Sequence, residues 1–177
     1  MFRLFRKPKV LIANNVYNML VEHARHPIFY AEFKVADNLD GRFDMIVLHM
    51  ILVLRRYKEH KDLDMVNHIQ NAFFKDMDRN LREMGVGDVT VPKKIKKMAE
   101  AYLGRSNAYT LPFDEKNKNK ICDAFDRNID AAEGNALLST HLCDYALAQE
   151  AHLACIEAKQ LASGDFVLIA PTPSIHN

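Results

Sequence analysis

Apolar residues recur at intervals of three and four along most of the chain, which is the spacing of one face of an α-helix. One such stripe runs down a single predicted helix and consists of Phe73, Met77, Leu81 and Met84. Residues 45–54 are apolar on every side except at His49, and a helix of that kind belongs in the interior of a protein. The pattern therefore predicts an all-α fold, a single-domain helical bundle with a buried central helix.

The same spacing places the other helices and the segments between them. Helices are predicted at residues 10–25, in the aromatic segment 28–33 and, as one long alanine-rich helix, at residues 136–162. Connections are predicted in the charged segment 57–64 and in the hydrophilic segment 110–120, which contains Pro112. Asp37 or Asp40 is the predicted N-cap of the central helix, and Gly134 is predicted to end the helix before residue 136.

Length and charge limit the class of protein. A chain of 177 residues is expected to form one domain. We divide it into a basic flexible N-terminus (1–9), a helical domain (10–164) and a C-terminal tail (165–177). The net charge of +1 argues against a polyanion binder, because the basic character is confined to residues 1–9 and 93–97. Three cysteines without CxxC spacing, Cys122, Cys143 and Cys155, are expected to be reduced, mostly buried thiols of a cytosolic protein.

The first nine residues combine Phe2, Leu4 and Phe5 with four basic side chains. Two interpretations stay open, a disordered basic terminus and a peripheral contact with an anionic membrane surface, where each basic residue contributes about 1 kcal/mol. No apolar run reaches the roughly 18 residues that a membrane-spanning helix needs, and basic residues interrupt the start where a signal peptide would lie. We therefore expect a cytoplasmic protein, with peripheral contact at the inner face of the cytoplasmic membrane as the further option.

Residues 76–105 form the most informative stretch, which predicts a helix end, a glycine-rich corner and a strongly basic second helix. Gly85 and Gly87 stand where a helix C-terminus favours residues that tolerate positive φ. On the second helix, Ala101 and Gly104 fall on the outer face together with the lysines. This face is either an ordinary solvated surface or one whose small residues leave room for another backbone.

The sequence of this corner, DMDRNLREMGVGD followed by VPKKIKKMAEAYLGR, resembles the signature of the ubiquinol–cytochrome c chaperone family. The upstream blocks ARHPIFY and LDGRFDMIVLHMILVLRR are similar to other blocks of that family. Its members are assembly factors for respiratory complex III in mitochondria and bacteria, and the mitochondrial members act with a small helper protein. The resemblance implies a non-enzymatic chaperone, with no cofactor, that binds cytochrome b or other complex III subunits during assembly.

The resemblance and the lysine face together give the candidate site residues. Those assigned to partner binding are Arg42, Asp78, Arg79, Arg82, Glu83, Asp88, Lys93, Lys94, Lys97 and Gly104. Gly85 and Gly87 are assigned to the turn, whereas Asp40 and Asp44, which also match the family, are open to a structural role as helix caps. We expect the arginines and lysines to share one surface, because two consecutive helices joined by a short corner carry them.

Eight histidines raise the alternative of a helical haem- or metal-binding protein. The candidate ligands are His23, His26, His49, His141 and His152. The paired Glu-x-x-His motif of di-iron bundles does not occur, so no metal site is assigned. A single histidine within a buried helix, such as His49, is expected to be a hydrogen-bonded core residue.

Two further classes rank below a protein-binding function. Nucleic-acid binding through Lys93–Lys97 would use phosphate attraction, but few aromatic residues accompany these lysines and acidic residues flank them. No nucleophile elbow, phosphate loop or dinucleotide fingerprint is present in the sequence, so no catalytic residue is assigned.

Overall fold

The structure of the protein is a computed structural model that describes residues 8–132 and 137–172, excluding the side chains of residues 137–139. Within these ranges the chain forms eight α-helices, and its β-type contact is a single bridge between Val35 and Ala131. The helices are α1 Lys9–Ala24, α2 Pro27–Ala31, α3 Leu39–Glu59, α4 Leu63–Glu83, α5 Val91–Asp114, α6 Lys118–Asn128, α7 Leu137–Ala154 and α8 Ala158–Ser163. The prediction of an all-α, single-domain fold is confirmed.

Helix α3 lies at the centre of the bundle. All ten side chains of residues 45–54 are buried, the most exposed being Ile46 at 7%, and α3 contacts α1, α4, α5 and α7. Full burial of one large aliphatic side chain contributes about 1.5–3 kcal/mol. A run of this length therefore makes α3 the element on which the others pack, as the apolar pattern predicted.

Helices α1 and α4 lie side by side and run in the same direction. At their starts Lys9 Nζ pairs with Asp62 Oδ1 at 2.7 Å, and further along the Tyr17 hydroxyl donates to Asp76 Oδ2 at 2.9 Å. Short connections join α3 to α4 and α4 to α5, so the helices before and after α4 in the chain run opposite to it. One end of the bundle, called the groove end below, therefore collects the end of α1, the start of α3, the end of α4 and the start of α5.

The prediction of a loop over residues 110–120 is wrong, because α5 continues through Pro112 to Asp114. Proline inside a helix removes one backbone hydrogen bond and is unfavourable there. Here Tyr109 and Phe113 are both buried, and their rings contact Phe125 on α6 at centroid distances of 5.1 and 6.3 Å. This aromatic packing holds the last turn of α5 helical, and only residues 115–117 connect it to α6.

The predicted single helix over residues 136–162 is two helices, α7 and α8, separated at residues 155–157. Glu157 caps α8 through a capping box, in which its side chain accepts from the backbone of Gln160 and the Gln160 side chain accepts from the Glu157 N–H. The spacing of an acidic residue and a glutamine three positions later is a helix-start signal. The alanine-rich composition on both sides concealed this signal in the sequence.

The helix boundaries around α3 also differ from the prediction. Its N-cap is Asn38, whose Oδ1 accepts from the Gly41 N–H at 2.8 Å, and not Asp37 or Asp40. The charged connector predicted at residues 57–64 shrinks to residues 60–62. The cause is Tyr57, which is fully buried and donates its hydroxyl to the Leu161 carbonyl at 2.9 Å, so that α3 extends to meet α8.

Two smaller expectations are also corrected. Met84, predicted to continue the buried stripe of α4, is 60% exposed, because the helix ends at Glu83 and the chain turns away. The cysteines are not three reduced thiols, since the structure joins Cys122 on α6 to Cys143 on α7 with a Cα–Cα distance of 5.7 Å. Cys155 is free and exposed rather than buried.

Some predictions fall outside the described residues. They are the character of the basic terminus up to Lys7, the break at Gly134, the inward side chain of Leu138 and the end of the tail from Pro173 onward. The described part of the tail, residues 165–172, is not helical, and its Phe166 and Leu168 are buried.

Two glycines give a matched test of the packing at the groove end. A Cβ at Gly41, in the first turn of α3, would lie 2.0 Å from the Ala36 carbonyl oxygen, whereas a Cβ at Gly104, within α5, would meet nothing within 4 Å. We expect Gly41→Ala to lower the free energy of unfolding by about 1–3 kcal/mol or more, and Gly104→Ala to raise it by about 1 kcal/mol. Urea denaturation of both variants measures this, and equal effects would contradict the close approach at Gly41.

Candidate partner-binding surface

The corner between α4 and α5 is built by a backbone hydrogen-bond motif that requires glycine. Gly85 has φ of 79°, its N–H bonds to the Arg82 carbonyl, and the Val86 N–H bonds to the Leu81 carbonyl. This pair of bonds is the Schellman arrangement, in which a left-handed residue ends a helix. Gly87 is not in the left-handed region, so its conformation does not require glycine.

The two arginines of this corner that were assigned to partner binding form ion pairs within the protein. Arg82 bonds to Asp78 on its own helix (Nε–Oδ2 2.7 Å) and to Asp88 in the corner. Its hydrogen bond holds the pKa of Asp78 below the usual range. Arg79 pairs with Asp76 and, at 3.9 Å, with Glu83. Arg82 therefore fastens the corner to α4, and these arginines are partly occupied before any partner arrives.

A groove of about 290 Å³ opens at the groove end, between the start of α3, the end of α4 and the first half of α5. Its floor is apolar and is formed by Phe43, Leu81 and Met98, with the 58% exposed Leu39 on one side. A concave apolar floor with a polar rim is the usual make-up of a protein recognition site.

Two lysines form the α5 wall of this groove. Lys94 and Lys97 line it and are exposed, and neither makes an ion pair with any described residue. Lys96, by contrast, is 3.9 Å from Glu100. Lys94 and Lys97 share one face of α5 with Ala101, which also lines the groove, and with Gly104. This face presents two unsatisfied cations followed by two residues with almost no side chain.

A buried ion pair lies beneath the groove. Arg105 Nη2 is 2.6 Å from Asp44 Oδ1, Asp44 is 1% exposed, and Asp44 Oδ2 accepts from the Asp130 N–H at 2.9 Å. The Arg105 guanidinium also stacks over the Phe43 ring at 5.4 Å. Burial raises the pKa of Asp44 to about 6, although Asp130 and Arg105 act in the opposite direction. Asp44 is therefore the counter-ion of Arg105 and not a helix cap.

Arg105 was not predicted from the sequence, although its partner Asp44 was recognisable there. Asp44 stands inside the apolar run of α3, and a buried carboxylate needs a charged or hydrogen-bonding partner. The sequence therefore predicts a partner for Asp44, but it does not identify which of the 24 basic residues is that partner.

Arg42 does not join the other candidate residues in the groove. It lies on the opposite side of the first turn of α3, where its Nε is 2.8 Å from Asp37 Oδ1. There it lines a second recess of about 670 Å³ with Arg25 and Tyr30. The first turn of α3 is thus a ridge between two concave surfaces. Arg42 lines one of them, and Lys94 and Lys97 line the other.

Two of the candidate histidine ligands, His23 and His49, lie together, with their ring centroids 5.1 Å apart. His49 bonds to the Met45 carbonyl at 2.6 Å and the Tyr145 hydroxyl at 2.8 Å, as expected for a hydrogen-bonded core residue. His23 is 2.8 Å from the same hydroxyl. Burial lowers the pKa of His49 to about 3 and that of His23 to about 4. In the part of the chain that the structure describes, no group of three His, Cys, Asp or Glu residues is arranged to hold a metal ion.

The other three candidates each have contacts of their own, and His26 Nδ1 accepts from the Ile28 N–H at 3.4 Å at the start of α2. His141 stacks on Phe33 at a ring distance of 5.9 Å, and His152 Nε2 bonds to the Val167 carbonyl at 2.9 Å. His152 therefore fixes the C-terminal tail to α7.

Fold and groove together define an all-α protein with an apolar, lysine-flanked recess at one end of its bundle. Comparison with known proteins identifies a family and a solved structure that this chain resembles. The model of the ubiquinol-cytochrome C chaperone family matches residues 31–169, a range that contains every residue of the groove. The crystal structure of the Cbp3 homolog from Brucella abortus is 35% identical with a TM-score of 0.80, over 90% of this chain and 89% of that chain. No curated protein matches the chain.

The chain belongs to the ubiquinol-cytochrome C chaperone family. The resemblance drawn from the corner motif is thereby confirmed.

The raised pKa of Asp44 predicts a pH dependence of stability. Because the folded protein holds this proton more tightly than the unfolded chain does, the contribution of Asp44 is largest below about pH 4 and is lost as the pH rises through about 6. We expect the difference in unfolding free energy between wild type and Asp44→Asn to fall by up to about 3 kcal/mol over that range. Chemical denaturation at several pH values measures it, with the exposed Asp126→Asn as control. A pH-independent difference would contradict the assignment.

Proposed function

We propose that this protein is a non-enzymatic assembly chaperone for the ubiquinol–cytochrome c reductase complex, and that it binds cytochrome b during biogenesis of that complex. Membership of the chaperone family over residues 31–169 is the observation that carries the proposal. The resemblance to a Cbp3 homolog over nine tenths of the chain adds to it. The alternative of a haem- or metal-binding protein has no comparable observation in its favour.

The groove supplies a physical means of binding. Binding of a partner to its apolar floor is favourable, because each Å² of apolar surface removed from water stabilises the complex by roughly 25 cal/mol. Lys94 and Lys97 have no intramolecular ion pair to give up among the described residues, so they are free to orient a partner that carries acidic groups. Arg79 and Arg82, with Asp78, Glu83 and Asp88, hold the corner that borders the groove.

We further propose that the opposite end of the bundle meets the membrane surface. There the first turns of α1 and α4 lie together through the Lys9–Asp62 pair, and Val10, Leu11 and Leu63 are 48%, 52% and 59% exposed. The basic and aromatic residues 1–7 precede this patch in the sequence. No helix of the described chain is long and apolar enough to cross a bilayer. Exposed apolar side chains beside basic ones are the make-up of a peripheral contact.

Reversal of the two groove lysines tests the partner-binding proposal. Lys94→Glu with Lys97→Glu leaves the core untouched, so we expect a change in unfolding free energy within about 0.5 kcal/mol for each residue. Capture of cytochrome b from detergent-solubilised membranes of the source cell is expected to be lost, and assembled complex III to decline.

The matched control reverses the same number of charges away from the groove, at the exposed Lys75 and Lys159. It should retain capture. Arg79 and Arg82 are not suitable for this test, because a glutamate at position 82 would face Asp78 and Asp88 and weaken the corner itself. Normal capture by the groove variant would place the partner surface elsewhere.

Vesicle binding tests the membrane proposal. We expect the full chain to sediment with vesicles that contain anionic lipid and to be released by about 0.5 M salt, because screening shortens the range of surface charges at high ionic strength. Substitution of Val10 and Leu11 by serine should weaken sedimentation at low salt, while Leu103→Ser, which changes an equally exposed leucine on α5, should not. Salt-resistant binding by the wild type would require a hydrophobic anchor instead.

A further inference from the structure

The two walls of the groove carry unpaired charges of opposite sign. Asp40 lies on the α3 wall, and Lys94 and Lys97 lie on the α5 wall. Among the described residues none of the three makes an ion pair, either with each other or elsewhere. An occupant that places carboxylates toward α5 and a basic or amide group toward α3 satisfies all three. The groove therefore favours an occupant with acidic groups on the side that faces α5 and basic or amide groups on the side that faces α3.

The α5 wall also indicates the length and shape of the occupant. Lys94, Lys97, Ala101 and Gly104 follow one another at helical spacing along a single face. With a rise of about 1.5 Å per residue this face is about 15 Å long, which corresponds to about three turns of a second helix. A Cβ at Gly104 would meet no described atom within 4 Å, so packing against the described residues does not explain a glycine that costs the helix about 1 kcal/mol. Contact with a second backbone does explain it.

The same features disfavour a membrane-spanning helix as the occupant. Such a helix needs about 20 apolar residues, and the apolar floor offers mainly Phe43, Leu81 and Met98. Apolar side chains laid against Lys94 and Lys97 would remove water from these cations without giving them a partner, which is unfavourable.

We infer that the groove binds an acidic amphipathic helix of about three turns, contributed by an extramembrane segment of the membrane subunit that the chaperone holds. This inference rests on the proposed function for the source of the segment. It adds the class of segment, since the carboxylates of the occupant meet Lys94 and Lys97 and its backbone packs closest at Gly104. The membrane-spanning part of the subunit stays outside the groove.

The test uses synthetic peptides that tile the extramembrane segments of the source cell's cytochrome b, with one membrane-spanning peptide in detergent as comparison. Binding to the full chain is measured by fluorescence anisotropy and helix formation by circular dichroism. We expect one acidic peptide to bind, to gain helix and to weaken with salt. Lys94→Glu with Lys97→Glu should lower its affinity by about tenfold or more, and a peptide with its carboxylates changed to lysine should restore binding to that variant.

Gly104→Leu provides a variant whose fold is not at risk, because space is open at this position and leucine favours helix more than glycine does. We expect its melting temperature to be maintained or raised and its affinity for the acidic peptide to fall by about tenfold or more. Unchanged affinity for the acidic peptide in both variants would overturn the inference, and so would a membrane-spanning peptide whose binding Gly104→Leu weakens as strongly.

The two proposals fail in different ways. If the full chain captures cytochrome b but none of its extramembrane peptides binds, the inference is overturned and the proposed function stands. If cytochrome b is not captured, the same peptide series from the other complex III subunits is used. An acidic peptide that binds with the expected dependence on Lys94 and Gly104 then supports the inference while the assignment to cytochrome b fails.

Discussion

One buried ion pair connects the two helices that form the walls of the groove. Arg105 on α5 and Asp44 on α3 are 2.6 Å apart, and the Arg105 guanidinium covers the Phe43 ring. Burial disfavours the charge on Asp44, and Arg105 together with the Asp130 N–H compensates part of that cost. The pair sets the separation of α3 and α5, while the absence of a side chain at Gly41 lets the backbone of α3 approach Ala36. The two walls of the groove are therefore in place before a partner binds.

The charges at this end of the bundle fall into two groups with different roles. Arg79 and Arg82 are satisfied by carboxylates of α4 and of the corner, and surface pairs of this kind contribute about 0–1 kcal/mol each. Their ion pairs connect α4 to itself and to the corner at the rim of the groove. Lys94 and Lys97 have no such counter-ions among the described residues, which leaves them available for binding. A chaperone needs both, a rim of fixed shape and charges free to steer and orient what it receives.

The sequence predicted the bundle because burial is set by local spacing. The all-apolar run of α3 and the stripe ending at Leu81 each determine which face turns inward. Pairing of Arg82 was also readable, since Asp78 stands four residues before it, at a spacing that favours ion pairs on a helix. The helical conformation at Pro112 could not be predicted from the sequence, because it depends on the packing of Phe113 against a helix that follows in the chain. The groove could not be predicted from the sequence either. Its walls, and the two members of the Asp44 ion pair, come from separate helices that only the folded chain brings together.

We propose that the groove is where this chaperone holds its membrane subunit. A photo-activated cross-linking residue at position 101, in the α5 wall, tests it most directly when compared with the same residue at the exposed position 75 on α4. After illumination of cells that are assembling complex III, we expect an adduct with cytochrome b from position 101 and none from position 75. Adducts with cytochrome b from position 75 but not from position 101 would contradict it.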